Sequence, residues 1–250
     1  ASVVFNFGQY ALGADAIINM FAAFDIHISK GLCCLILLAV SVPLSLMYGS
    51  GENPKGVKIV ENAIKVMIGI MLIVFIAVVC VTGINVPAMI KGLLIPKLPS
   101  GIDGMVTLIA SMTATIGVMD WLLFNNGMIA RGFSEDHERL GRFDAFCGGL
   151  LPVTLVLSLV SIAFAEAFSG KPGIPTTSSE LCEALMGVIP SVWIQAGFYL
   201  GVLAMVLSSM IGLSATCATS FYQSLNIPRD TKAWYHPLVV LAPQIGCLGV

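Results

Sequence analysis

The sequence predicts an all-α integral membrane protein, a multi-helix bundle, and three observations carry that reading. Of its 250 residues, 57% are hydrophobic and only 10% charged, whereas soluble domains carry roughly 25% charged residues. The apolar residues fall in runs of about 20, the length that crosses a bilayer core. Short segments with turn chemistry separate the runs: Asp25-Ile-His-Ile-Ser-Lys30, Gly49-Ser-Gly-Glu-Asn-Pro54, Pro96-Lys-Leu-Pro-Ser-Gly101 and Gly170-Lys-Pro-Gly-Ile-Pro175. Lipid forces each crossing segment to satisfy its own backbone, and no alternating barrel pattern is present, so the runs are read as helices.

In chain order the helices are expected over 3–24, 32–48, 57–81, 103–130, 143–168, 190–222 and 236–250, all in one transmembrane domain. The first ends at the Asp25 turn and carries Asp15 and Asn19 one helical turn apart. The second and third are delimited by the turns around Lys30 and Pro54. The fourth holds no charge from Met105 to Ala130 except Asp120. The fifth closes before Gly170-Lys-Pro. The sixth mixes Ser208, Ser209, Ser214, Thr216 and Thr219 with Gly212, Ala215 and Ala218, a pattern of close helix packing. The seventh is still apolar at Gly246–Val250, and there is neither an initiator Met nor a signal-peptide pattern, so the chain reads as an internal fragment.

Lys/Arg placement orients the bundle. Connections two, four and six, with adjoining helix ends, hold Lys55, Lys58, Lys65, Arg131, Arg139, Arg142, Arg229 and Lys232. The other three hold Lys30, Lys91, Lys97 and Lys171. The richer set is assigned to the cytoplasm, with the plasma (inner) membrane as the expected location. The first helix then runs outward and the Asp120 helix inward.

Several functions are excluded or unsupported. A net charge of −2 supplies no basic stripe for nucleic acid. The seven cysteines (Cys33, Cys34, Cys80, Cys147, Cys182, Cys217 and Cys247) show no C-x-x-C spacing and read as packing residues. His27, His137 and His236 fall in connections or at helix ends, giving no histidine metal cluster. No nucleophile–base pair or phosphate loop argues for an enzyme, and no cofactor is expected.

The chemistry concentrates in Ala114-Thr-Ile-Gly-Val-Met-Asp-Trp-Leu-Leu-Phe-Asn-Asn-Gly127. A charge at the centre of a membrane helix costs about 2.5–3.5 kcal/mol, so Asp120 is expected to face protein or water, near Asp15 or Asn19. Gly117 before it and Asn125, Asn126 and Gly127 after it weaken helical support. A break is expected between Thr115 and Trp121. Broken helices whose freed carbonyls line a cation site recur in transporters. The candidate metal donors are the Asp120 carboxylate, the Met119 thioether and the freed carbonyls of Ile116 and Gly117. Trp121, Asn125, Asn126, Asp15 and Asn19 are candidate pathway residues. Packing alone is the competing explanation for each polar group.

The Gly117–Asn126 stretch resembles the sixth helix of Nramp-type divalent metal transporters, where Met-Pro-His is followed by Asn-Leu-Tyr-Leu-His. Met119 falls on the motif Met, Asp120 on its Pro, Trp121 on the first His and Asn126 on the second. Leu12-Gly13 with Asn19 resembles the third helix of that family. Leu98-Pro-Ser100, Arg142-Phe-Asp144 and the Ser208-Ser209-x-x-Gly-x-Ser-Ala stretch match in order and spacing. The resemblance covers the chain as helices three to the start of nine. It implies a bundle of two inverted repeats with a broken helix and a midplane metal site, incomplete here because the family's Asp-Pro-Gly-Asn helix is not among these residues.

The departures point to a branch. The family's proton route uses both sixth-helix histidines, here Trp121 and Asn126, and a third-helix Glu, here Tyr10. The resemblance therefore implies transport of a divalent metal ion without the usual proton coupling. A carboxylate beside the thioether favours Mg²⁺, as in the divergent Nramp-related magnesium transporters, with Mn²⁺/Fe²⁺ next. The alternatives are an organic-solute permease of the same broken-helix fold, with Asp120 meeting an amine, and a non-transporting membrane subunit.

Overall fold

The computed structural model describes residues 2–50, 54–94, 104–106, 109, 135–168, 177–227 and 230–250. Most of these residues are helical, with no strand among them. In chain order they form α1 (Ser2–Ala22), α2 (Lys30–Ser50), α3 (Pro54–Thr82), α4 (Val86–Leu94) and α5 (Glu138–Phe143). Then come α6 (Leu151–Ala167), α7 (Ser178–Val188), α8 (Val192–Ser224) and α9 (His236–Leu241). A π-helical segment, Asp144–Leu150, joins α5 to α6, and a 3₁₀ segment, Ala242–Gly249, continues α9.

Among the described residues, four stretches are long and apolar enough to cross a membrane: Lys30–Met47, Glu61–Thr82, Glu138–Ala167 and Val192–Ser224. Helix α1 has the length but carries Asn6, Gln9, Tyr10, Asp15 and Asn19, which lower its hydropathy. Asn6 and Tyr10 are fully buried, so part of that polarity is turned inward.

Among the described residues α8 is the central element, packed by α1, α2 and α3. Its contact with α3 runs through two glycines, Gly197 and Gly201. A Cβ on Gly201 would lie 2.2 Å from the Met71 Sδ and 2.5 Å from the Met71 Cβ, so only glycine lets α8 and α3 approach this closely. Beside this crossing Phe75, Phe164 and Phe198 meet edge-to-face at 5.4–6.5 Å, tying α3, α6 and α8 together.

The helix ends have legible causes. Asp25 and Asn226 adopt positive φ (60° and 51°) just past α1 and α8. The Ile26 N–H reaches back to the Phe21 carbonyl and the Ile227 N–H to the Tyr222 carbonyl, the six-to-one bond that closes a helix. At α7 the Thr177 hydroxyl accepts from the Glu180 N–H, a side-chain cap. The π segment has a local cause too. Pro152 has no N–H to offer the carbonyl four residues back, and the Leu151 N–H instead reaches Phe146, five residues back.

Candidate functional site

The residues expected to hold metal (Ile116, Gly117, Met119 and Asp120) and the neighbours Trp121, Asn125 and Asn126 lie outside the described residues. So does the helix break expected between Thr115 and Trp121. Among the described residues no group of three His, Cys, Asp or Glu side chains is placed to hold a metal ion.

Asp15 and Asn19 are described. Asp15 is exposed and Asn19 half-buried. The Asn19 amide donates to the backbone carbonyl of Asp15 at 2.8 Å, not to its carboxylate, which leaves that carboxylate oriented independently of Asn19. The Gln195 amide donates to the Asn19 carbonyl at 2.9 Å and so joins α8 to α1. On α8 itself, Ser208, Thr216 and Thr219 donate to carbonyls of their own helix (Met205, Gly212 and Ala215). Those hydroxyls are satisfied locally.

The interior polar centre forms elsewhere, around Gln244 in the 3₁₀ segment. Its Oε1 accepts from the Tyr10 hydroxyl at 2.7 Å and from the Ser41 hydroxyl at 3.0 Å. Its Nε2 donates to the Ser45 and Ser214 hydroxyls, both at 3.0 Å. Tyr10 and Ser41 lie 3.1 Å apart. All five residues are buried. Every donor and acceptor site of the carboxamide is used, and the partners come from α1, α2 and α8. Ser41 and Ser45 sit one turn apart on α2 with Pro43 between them, where the missing N–H frees one helical carbonyl.

One turn before Tyr10, Asn6 donates from Nδ2 to the Pro243 carbonyl at 2.8 Å. That bond fixes the amide's orientation, since a carbonyl cannot donate, and leaves the buried Oδ1 without a partner among the described residues. The backbones meet here: a Cβ on Gly246 would lie 2.6 Å from the Asn6 Cβ and 2.9 Å from its carbonyl carbon. Chemically the centre is a neutral clamp. Among the described residues it has no carboxylate, imidazole or ammonium, and its amide has no free lone pair for a cation. Sequence reasoning singled out Tyr10 and Ser214 but not Asn6, Ser41, Ser45 or Gln244. The available signal was a lone amide in an apolar run, together with Asn6 and Tyr10 at i and i+4.

Long apolar helices packed through glycines, with a polar centre buried among them, define an α-helical integral membrane protein. Within that class, the family model described as natural resistance-associated macrophage protein-like, Nramp, matches residues 6–250. The chain belongs to the Nramp family. Members of this family are transporters rather than enzymes, and their substrates are divalent metal ions. No curated protein and no solved structure matches the chain.

Proposed function

We propose that the chain carries Mg²⁺ across the plasma (inner) membrane without the proton coupling usual in its family. The site combines the Asp120 carboxylate, the Met119 thioether and the Ile116 and Gly117 carbonyls on a broken helix. Trp121, Asn125, Asn126, Asp15 and Asn19 line the approach. No cofactor takes part; the metal ion is the substrate.

One observation carries the choice of ion. Asp120 puts a hard oxygen where the family has proline, and a strongly hydrated ion is held through one or two carboxylates while keeping several waters. The absence of proton coupling is supported by Trp121 and Asn126 at the two histidine positions. It is also supported by Tyr10, which stands at the Glu position and is engaged with Ser41 and Gln244. The second reading, Mn²⁺/Fe²⁺ transport, is favoured by the Met119 thioether, a soft ligand.

The test is uptake by the full-length protein in liposomes, comparing Mg²⁺, Mn²⁺ and Ca²⁺ with and without a pH gradient. Mg²⁺ uptake indifferent to the pH gradient is the expected result. Uptake of Mn²⁺ alone, accelerated by an acidic exterior, overturns the proposal.

A further inference from the structure

The 3₁₀ segment Ala242–Gly249 runs for 8 residues. Runs beyond about 3–4 residues are uncommon, because the i to i+3 bond has poorer geometry than the α bond. Pro243 lacks an N–H and accounts for a break where α9 ends. From Gln244 onward every residue can donate, so no local feature keeps the later turns out of the α form. Their cause lies in what the segment touches.

Three residues per turn stack positions i and i+3 in rows, and each row here has its own neighbour. Pro243, Gly246 and Gly249 form the row against α1. The Pro243 carbonyl accepts from Asn6 at 2.8 Å. A Cβ on Gly246 would lie 2.6 Å from the Asn6 Cβ and 3.0 Å from the Val3 carbonyl oxygen, and one on Gly249 would lie 2.6 Å from the Phe7 ring. Val3, Asn6 and Phe7 share one face of α1, at i, i+3 and i+4. Gln244, Cys247 and Val250 form the inward row: Gln244 holds the clamp, and the other two pack on the buried core. Ile245 and Leu248, in the third row, are 55% and 83% exposed. An α-helix turns about 100° per residue rather than about 120°, so Gly249 would then stand roughly 120° around the axis from Pro243 and leave α1.

We propose that Ala242–Gly249 is a two-state element, 3₁₀ while docked on α1 and the Gln244 partners, and α-helical when that docking is released. The docked contacts offset the poorer pairing, so clamp and helical form stabilise each other. Release shortens the segment by about 4 Å, since the rise falls from about 2.0 to 1.5 Å per residue, and the Tyr10 hydroxyl loses Gln244.

The experiment uses full-length protein in lipid nanodiscs, with nitroxides coupled to ketone-bearing amino acids at two exposed positions, Leu35 of α2 and Leu248. Pulsed EPR reads the distance between them, and a second pair joins Leu35 to Ile245. Counted from Leu241, conversion swings a label about 140° at Leu248 but only about 80° at Ile245. The parent should give one distance for each pair. Gly246→Ala drives the segment off the α1 backbone, and Gln244→Leu removes the clamp. Each should raise a second distance from undetectable to about a tenth of the molecules or more, with the larger shift at Leu248. Asn6→Ala, which deletes only the bond to Pro243, is a milder variant to the same end. Gly8→Ala, with nothing within 4 Å, should keep the single distance. Unfolding temperatures establish which variants are folded. The parental distance alone in the folded variants overturns the proposal, as does a parent already in the α form. Equal shifts at Leu248 and Ile245 also overturn it, because the segment then undocks as a rigid body without changing its helical form.

Discussion

Replacing Gln244 by leucine tests whether the neutral clamp holds the bundle together. Gln244→Leu keeps nearly the same volume and removes four interhelical hydrogen bonds, to Tyr10, Ser41, Ser45 and Ser214. Such bonds in membrane proteins average about 0.6 kcal/mol, so four amount to about 2.4 kcal/mol. The groups left behind are not stranded. Tyr10 and Ser41 still face each other at 3.1 Å, and Ser45 and Ser214 can turn to the carbonyl one helical turn back. The expected loss is therefore about 2–3 kcal/mol, or a fall in unfolding temperature of roughly 5–10 °C for a chain of this length. Gln244→Glu is the sharper variant. It keeps two acceptor oxygens for Tyr10 and Ser41 but loses both donors, and at pH 7 an ionised carboxylate would face four hydroxyls with no cation in the cluster. Burying an unpaired charge costs several kcal/mol, so this variant should be the less stable of the two. The assay is thermal unfolding in detergent, followed by fluorescence-detected size exclusion. A Gln244→Leu protein that unfolds within about 1 °C of the parent refutes the reasoning. So does a Gln244→Glu protein as stable as the parent.

Three further outcomes follow from other residues. Gly201→Ala should cost about 1–3 kcal/mol through its clash with Met71, and Met71→Ala in the same chain should recover only the part due to Sδ and Cγ, since the residue 71 Cβ at 2.5 Å remains. Gly8→Ala, with nothing within 4 Å, should be neutral or stabilising, and equal melting of the two alanine variants would contradict the packing argument. Burial pushes the Cys182 thiol up to about 11, with the Tyr199 hydroxyl pulling it back and the Glu183 carboxylate adding to the rise. At pH 8 roughly a thousandth is thiolate, so maleimide should label Cys182 only after unfolding, and prompt labelling of folded protein would be contrary evidence. In transport assays, Asp120→Ala should impair Mg²⁺ uptake more than Met119→Ala does. Loss of Mn²⁺ uptake in Met119→Ala, with Mg²⁺ uptake intact in Asp120→Ala, would place the chain with the manganese and iron carriers.

What the sequence made legible is what lies close together along the chain. Long apolar runs between Gly/Pro turns declare helices, because lipid leaves the backbone few other options. The short helix α7 has a readable start in Thr177-Ser-Ser-Glu180, a capping pattern inside a segment taken as a connection. The π segment likewise has its cause in Pro152, close after Gly148-Gly149. The Gln244 clamp was not legible, since its partners lie 30 to 234 residues away. A single amide in an apolar run has no periodicity, and which helix it meets is decided by packing. Asp15 and Asn19 show the opposite limit. Their i, i+4 spacing does bring them together, but through a backbone carbonyl, so spacing predicted proximity and not the bonding atom.

The neutrality of the Gln244 centre bears on what can drive transport. A proton relay needs groups that accept a proton on one side and release it on the other. Gln244 donates twice through nitrogen and accepts twice through oxygen, and a carboxamide does not exchange those roles. If Mg²⁺ moves without protons, its own charge is the handle. Each elementary charge gains about 2.3 kcal/mol per 100 mV, so a divalent ion gains about 4.6 kcal/mol, more than three decades of equilibrium accumulation. Full-length protein in liposomes should therefore accumulate Mg²⁺ when a potassium diffusion potential makes the interior negative, whether or not a pH gradient is present. Collapsing the potential should abolish accumulation and leave only equilibration. Accumulation driven by a pH gradient at zero potential would show that protons find a route that avoids Tyr10 and Gln244, and the uncoupled mechanism would fall.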